Sequence, residues 1–169
     1  MHAVQVARIV GAGPIVAVDP LPSARERALR LGADHALDPT AVDVVEEVRR
    51  ITSGRMLDVA VDLVGANVVL AQAAASLGRF GRCVMVGLSL DDVALGPGVF
   101  FGVQSQSLLG HLGYKKRHLD ELVTLVELGR LDVSGSVSDV LPLEQVGRGV
   151  ERLRSKEGDP VRLVVQPWT

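Results

Sequence analysis

The sequence predicts an α/β chain with a doubly wound parallel sheet that lacks its first, central strand. Three observations carry this. Short aliphatic runs alternate with amphipathic segments of ten or so residues, the pattern of strand–helix–strand crossovers. Aromatic residues make up only 3% of the chain against 47% hydrophobic, so the core is aliphatic, as suits strands covered on both faces. The opening segment, MHAVQVARIV, reads as a helix where such a sheet normally opens with a strand.

The elements follow in order. After the opening helix, Ile15 to Val18 is a β-branched run, and Ser23 to Leu31 is rich in Arg and Glu and helical in character. Asp34 to Leu37 is a brief strand. Ala41 to Thr52 carries apolar residues at helical spacing and stops at Gly54. Asp58 to Val64 is a buried strand, Asn67 to Leu77 a helix, and Arg82 to Gly87 another buried strand. A looser stretch from Ser89 to Val103 contains Gly96, Pro97 and Gly98, and Ser107 to Gly110 then reads as a strand. Leu119 to Leu128 is an amphipathic helix ended by Gly129. A strand at Val137 to Leu141, a helix at Leu143 to Leu153 and a strand at Val161 to Val165 close the chain. At 169 residues with no linker or repeat, one domain is expected over residues 1–169.

Bulk properties exclude several classes. A net charge of −2 without a basic stripe argues against nucleic acid. The single cysteine, Cys83, leaves no internal disulfide or cysteine zinc cage. No apolar run approaches the roughly 18 residues of a membrane span, and no secretory signal is evident, so a cytoplasmic location is expected.

Asp19 is the most informative side chain. It ends the strand Ile15–Val18 just before a helix, where an acid accepts hydrogen bonds from the ribose hydroxyls of a bound dinucleotide. It also opposes a 2′-phosphate: two charges ~4 Å apart at an effective dielectric of about 20 repel by about 4 kcal/mol. Solvent reduces that severely, but about 1.4 kcal/mol already gives tenfold selectivity for NAD over NADP. The competing reading is a turn or helix-capping aspartate before Pro20. Gly11-Ala-Gly13 only imitates a phosphate loop, because it lies between helix and strand and lacks a third glycine; it caps the first helix instead. Val64-Gly65 and Val86-Gly87-Leu88 end consecutive strands, and glycine there lets a flat ring approach the backbone. His2, His35, His111 and His118 show no ligand spacing, and no catalytic constellation is present. His111 alone follows a strand end.

Five stretches together resemble the coenzyme domain of the medium-chain, zinc-type alcohol dehydrogenases: VQVARIVGAGPIVAVDPLPSARERALRLGADHALDP, DVAVDLVGA, LGRFGRCVMVGL, SLLGHLGYKKRHLDELVTLVELGRLD and LPLEQVGRGVERLRSKEGDPVRLVVQP. The likeness runs from Val4 to Pro167. It implies a Rossmann-like domain, truncated at its N-terminus just after a phosphate loop of the form GxGGVG. It further implies that Met1 is internal and that the zinc-holding catalytic domain lies upstream. Asp19 would hold the adenosine ribose, with Val64, Gly65, Val86, Gly87 and Leu88 lining the nicotinamide pocket and His111 and Gly113 nearby. Arg162 matches an arginine that reaches the pyrophosphate. The family's basic residue five positions after the acid is here Ala24, with Arg25 adjacent, so NAD over NADP rests mainly on Asp19. No catalytic or metal-binding residue is expected in this chain, and zinc would belong to the absent domain. The whole enzyme would act on a small alcohol or carbonyl substrate, and this chain alone would be inactive.

Family members pair edge strands of this domain, which makes Val99 to Leu109 the candidate homodimer edge. The alternatives are a non-catalytic remnant or dimerisation module and a methyltransferase-like domain. The LGADHALDP and GDPVRLVVQP segments argue against the last. Without a central strand of about five residues, roughly ten ladder hydrogen bonds worth about 1 kcal/mol each are missing. Marginal stability is therefore expected unless the sheet closes up or a partner supplies a strand.

Overall fold

The computed structural model describes residues 1–168. Helix α1 (His2–Ile9) opens the chain, followed by β1 (Val16–Val18), α2 (Pro22–Arg30), β2 (His35–Leu37) and α3 (Val44–Ile51). Then come β3 (Leu57–Asp62), α4 (Asn67–Ala75), β4 (Leu77–Met85), α5 (Gly98–Val103) and β5 (Ser107–Gly110). The last part comprises α6 (Lys116–Glu127), β6 (Asp139–Pro142), α7 (Val146–Ser155) and β7 (Leu163–Gln166). Each strand expected from the sequence is present, shifted by a few residues. The looser stretch differs, since its last six residues coil into α5 behind Pro97.

Every strand pair is parallel, as the alternation requires. The strands do not form one sheet, however. Among the described residues they fall into three ladders: β1–β2, β3–β4–β5 and β6–β7. The β1–β2 and β3–β4–β5 ladders are tied by α3, whose Val44 and Val48 pack with Met56 against Val16, Leu37 and Leu57. Among the described residues no ladder joins β1 to β3.

The core is divided accordingly. Leu70, Leu77, Cys83 and Ala60 form one cluster under α4, Ile15, Ala28 and Ala33 a second beside α1 and α2, and the α3 group a third. Aliphatic residues that a complete doubly wound sheet would cover stay in water. Val59 and Val61 of β3 are 47% and 46% exposed. Helix α6 buries none of its residues, and its apolar side faces an open trough of about 390 Å³ lined by His2, Leu119, Leu122, Val123, Val126 and Leu131.

Local chemistry explains where the elements stop. Gly11 takes φ +80° after α1, and the amides of Gly11 and Ala12 close back on the carbonyls of Arg8 and Ala7, the capping role read from the sequence. Asp43 caps α3 by accepting from the amides of Val45 and Glu46. Helix α1 is fastened at a distance: the Gln5 side chain donates to the Asp132 carbonyl at 2.8 Å and accepts from its amide at 2.9 Å.

Candidate functional site

Strand ends place the first group. Asp19 follows β1, and its amide donates to the Leu37 carbonyl, which holds it level with the end of β2. Its Oδ1 accepts from the Leu21 amide at 2.9 Å. Among the described residues no donor reaches Oδ2. One oxygen therefore orients the carboxylate while the other is free to accept from a ligand hydroxyl. The turn reading and the binding reading of Asp19 are thus compatible.

The start of α1 lies close by. Burial pushes the pKa of the Met1 amine down, and the charges of Arg27 and Arg162 push it further, with Asp19 opposing. The charges of Arg162, which is exposed, and of Arg27, which is paired with Asp159, thus reach a helix start that has no side-chain cap. Such a setting favours an anion, because uncapped amides and the helix dipole add to the positive charge. The C-terminal segment reaches this point through Asp159, whose Oδ2 accepts from the Ser23 hydroxyl at 2.5 Å and from Arg27 Nη2 at 3.0 Å. Arg162 itself is exposed, and its carbonyl accepts from the Ser138 amide. His2 packs on Ser136 through Nε2, and its ring pKa is lowered by burial and then by Arg162.

The second group lies at the ends of β3, β4 and β5, which are adjacent in that order. Asp62, only 1% exposed, organises it. Its carboxyl accepts from the amides of Val64 at 2.9 Å and Gly65 at 3.1 Å, while its carbonyl accepts from Val86 and Gly87 at 2.9 and 3.0 Å. The turn Val64-Gly65 and the turn Val86-Gly87-Leu88 thereby meet backbone to backbone. A Cβ on Gly65, which has φ +88°, would come within 2.7 Å of the Leu88 amide nitrogen. One on Gly87 would collide with the Gly65 amide and the Val64 main chain. The two glycines are needed for these turns to touch each other, a requirement separate from the approach of a ring. A hollow of about 80 Å³ opens beside them, lined by Gly65, Asn67, Leu70, Gly87, Leu88 and Asp92 among others. His111 continues the row, its amide donating to the Met85 carbonyl at 3.0 Å, and Gly113 follows at φ +69° with open space around it.

Arg25 does not point into open space. It is engaged by Asp38 and by main-chain carbonyls under Asp19. Sequence reading missed this, as it missed Asp62 and Gln5. The Asp in DVAVDLVGA, two residues before Val64, was the available signal for Asp62. Gln5 and Asp132 lie 127 positions apart, and no local pattern links them.

Parallel strands alternating with helices, with glycine turns and an acid at their carboxyl ends, define a Rossmann-type α/β domain. The comparisons with known proteins give its family. Residues 1–128 match the family model described as zinc-binding dehydrogenase. The chain is 30% identical over 168 residues to the sorbitol dehydrogenase of Bacillus subtilis (strain 168), covering 99% of this chain and 47% of that protein. An NAD-dependent alcohol dehydrogenase of Sulfurisphaera tokodaii is 29% identical over 90% of this chain and 43% of its own length. Among solved structures, an alcohol dehydrogenase zinc-binding domain protein from Burkholderia ambifaria superposes with a TM-score of 0.87 at 32% identity, over 97% of this chain and 44% of that one. The alcohol dehydrogenase TADH from Thermus sp. ATN1 gives 0.89 at 30% identity, over 97% and 47%. The chain belongs to the zinc-binding dehydrogenase family and has the fold of its C-terminal, coenzyme-binding region. It spans less than half the length of these relatives.

Proposed function

We propose that these residues form the NAD-binding part of a zinc-type alcohol or polyol dehydrogenase-like oxidoreductase. The single observation that carries this is the free Oδ2 of Asp19, set just past the end of β1 and ahead of α2. The residues fit the cofactor in sequence. Asp19 would accept from the adenosine ribose, the α1 amides with Arg162 would meet the pyrophosphate, and the turns at Val64–Gly65 and Val86–Leu88 would flank the nicotinamide beside His111 and Gly113. Bound NAD would supply the hydride acceptor. The chain's own part is to bind, orient and discriminate, with NAD favoured over NADP by the charge of Asp19.

The family's zinc is a different matter. Among the described residues no group of three or more His, Cys, Asp or Glu could hold a metal ion. The fit here is to the nucleotide alone, and catalysis on an alcohol or carbonyl substrate would need groups other than these. No helix among the described residues is long and apolar enough to cross a membrane; a cytoplasmic location fits the proposed role. A homodimer through the open side of β5, next to the low-charge run Val99 to Leu109, is part of the same proposal. In this chain the helical part of that run, α5, keeps Val99, Phe100 and Val103 64–70% exposed.

A non-catalytic remnant is the second reading, favoured by the divided sheet. Calorimetric titration of NAD and NADP into the chain separates the two. The dehydrogenase reading expects NAD to bind tighter than millimolar and at least tenfold tighter than NADP. Absence of binding by either would leave the remnant.

A further inference from the structure

Arg25 is held through one guanidinium nitrogen. Its Nη1 donates to the carbonyls of Asp19 and Pro20, both at 2.8 Å, and lies 3.0 Å from Asp38 Oδ2. Asp38 is fixed in turn, because its Oδ1 accepts from the Thr40 amide at 2.9 Å and the Thr40 hydroxyl at 2.6 Å. Those two hydrogen bonds, and then Arg25, keep the Asp38 carboxyl below its usual range and so ionised at neutral pH. The register pairs Val18 with Leu37, so Asp19 and Asp38 leave neighbouring strand ends. Adjacent strands are about 4.8 Å apart. The cluster therefore holds two carboxylates and one guanidinium, with one net negative charge, and the cation sits behind the main chain of Asp19.

We infer that Asp38 is a specificity-determining positioning residue, which retains Arg25 against the Asp19–Pro20 carbonyls and cancels its charge so that this strand end rejects a 2′-phosphorylated ribose. Removing the Asp38 charge would make the cluster neutral and leave Arg25 available to a phosphate. Removing Arg25 would do the reverse and leave two uncompensated carboxylates. An arginine that is otherwise suited to phosphate recognition is thus kept out of that role by Asp38, whose own contacts are to Thr40 and Arg25.

This inference rests on the reading of Asp19 as the ribose acceptor. Its test uses two probes that differ only in the 2′-phosphate, AMP and adenosine 2′,5′-bisphosphate, titrated calorimetrically into the full chain. Asp38→Asn retains an acceptor for Thr40 and is expected to move the affinity ratio at least tenfold toward the bisphosphate. Arg25→Gln is expected to move it in the opposite direction, and the double variant to return it close to the starting value. A merely structural role would lower both affinities together and leave the ratio fixed. A ratio within twofold of the starting chain in both single variants, while AMP still binds, overturns the inference and spares the ribose reading. Failure of the unaltered chain to bind either nucleotide overturns the ribose reading, and the inference with it.

Discussion

At the scale of single residues, the site is built from carboxylates used in different ways. Asp19 spends one oxygen on the Leu21 amide and keeps the other free, whereas Asp62 is consumed by the main chain it organises. Their replacements should therefore fail differently. Asp19→Ala is expected to weaken NAD binding about tenfold or more and to bring NAD and NADP affinities together, with little change in melting temperature, because the side chain stands near solvent. Asp62→Ala strands the buried amide of Gly65 and the partly buried amide of Val64 and should cost roughly 1–3 kcal/mol, read as a lower urea midpoint. Asp19 was legible because a strand end followed by a helix is a local pattern. Arg25 was legible as a residue type in the right region, but not its engagement. That depends on Asp38, thirteen positions on and just past the end of the next strand, which register alone brings near.

At the scale of elements, the order of strands and helices was readable throughout, since each alternation is written in a window of ten or so residues. Boundaries moved where a side chain intervened. The third strand ends at Asp62, before the expected Val64, because its carboxyl folds the chain back, and α3 starts at Val44 because Asp43 caps it. What joins the elements was not readable. The Gln5 clamp secures α1 to the segment after α6, and Gln5→Ala should lower stability by roughly 1–3 kcal/mol by leaving the Asp132 amide and carbonyl without their partner. Several joints are ionic. Asp34 receives the Ile15 amide and Arg8, and Asp159 receives Ser23 and Arg27; these contacts hold both carboxyls below their usual values. A carboxyl with a lowered folded pKa stabilises the fold while ionised. Its contribution is complete above the unfolded value near 3.8 and is lost as pH falls through the folded value. Circular dichroism melts should therefore decline gently below about pH 6.5, where the His2 ring takes a proton more readily in the unfolded chain, and drop more steeply below about pH 4. Asp34→Asn should make that drop shallower.

At the scale of the whole molecule, the absent ladder between β1 and β3 governs behaviour. The alternation of segments announced parallel strands, but not that they would fall into separate ladders with Val59 and Val61 half in water. Three small cores in place of one imply low cooperativity. Cys83 supplies a probe: it is fully buried between β3 and β5, with its thiol pKa raised first by burial and then by Asp62. Its labelling by a thiol reagent reports opening of that ladder. Labelling within minutes at neutral pH without denaturant is the expected result, and NAD should slow it by binding only the closed form. Protection lasting days would show that the divided sheet is as stable as a continuous one.

The coenzyme-binding assignment is tested most directly by following backbone amide resonances of the chain during an NAD titration. Saturable shifts are expected at the strand ends, Asp19 to Ser23, Val64 and Gly65, Val86 to Leu88, and His111 to Gly113, with α1's first turn and Arg162. Shifts confined to other surfaces, or none at millimolar NAD, would contradict it.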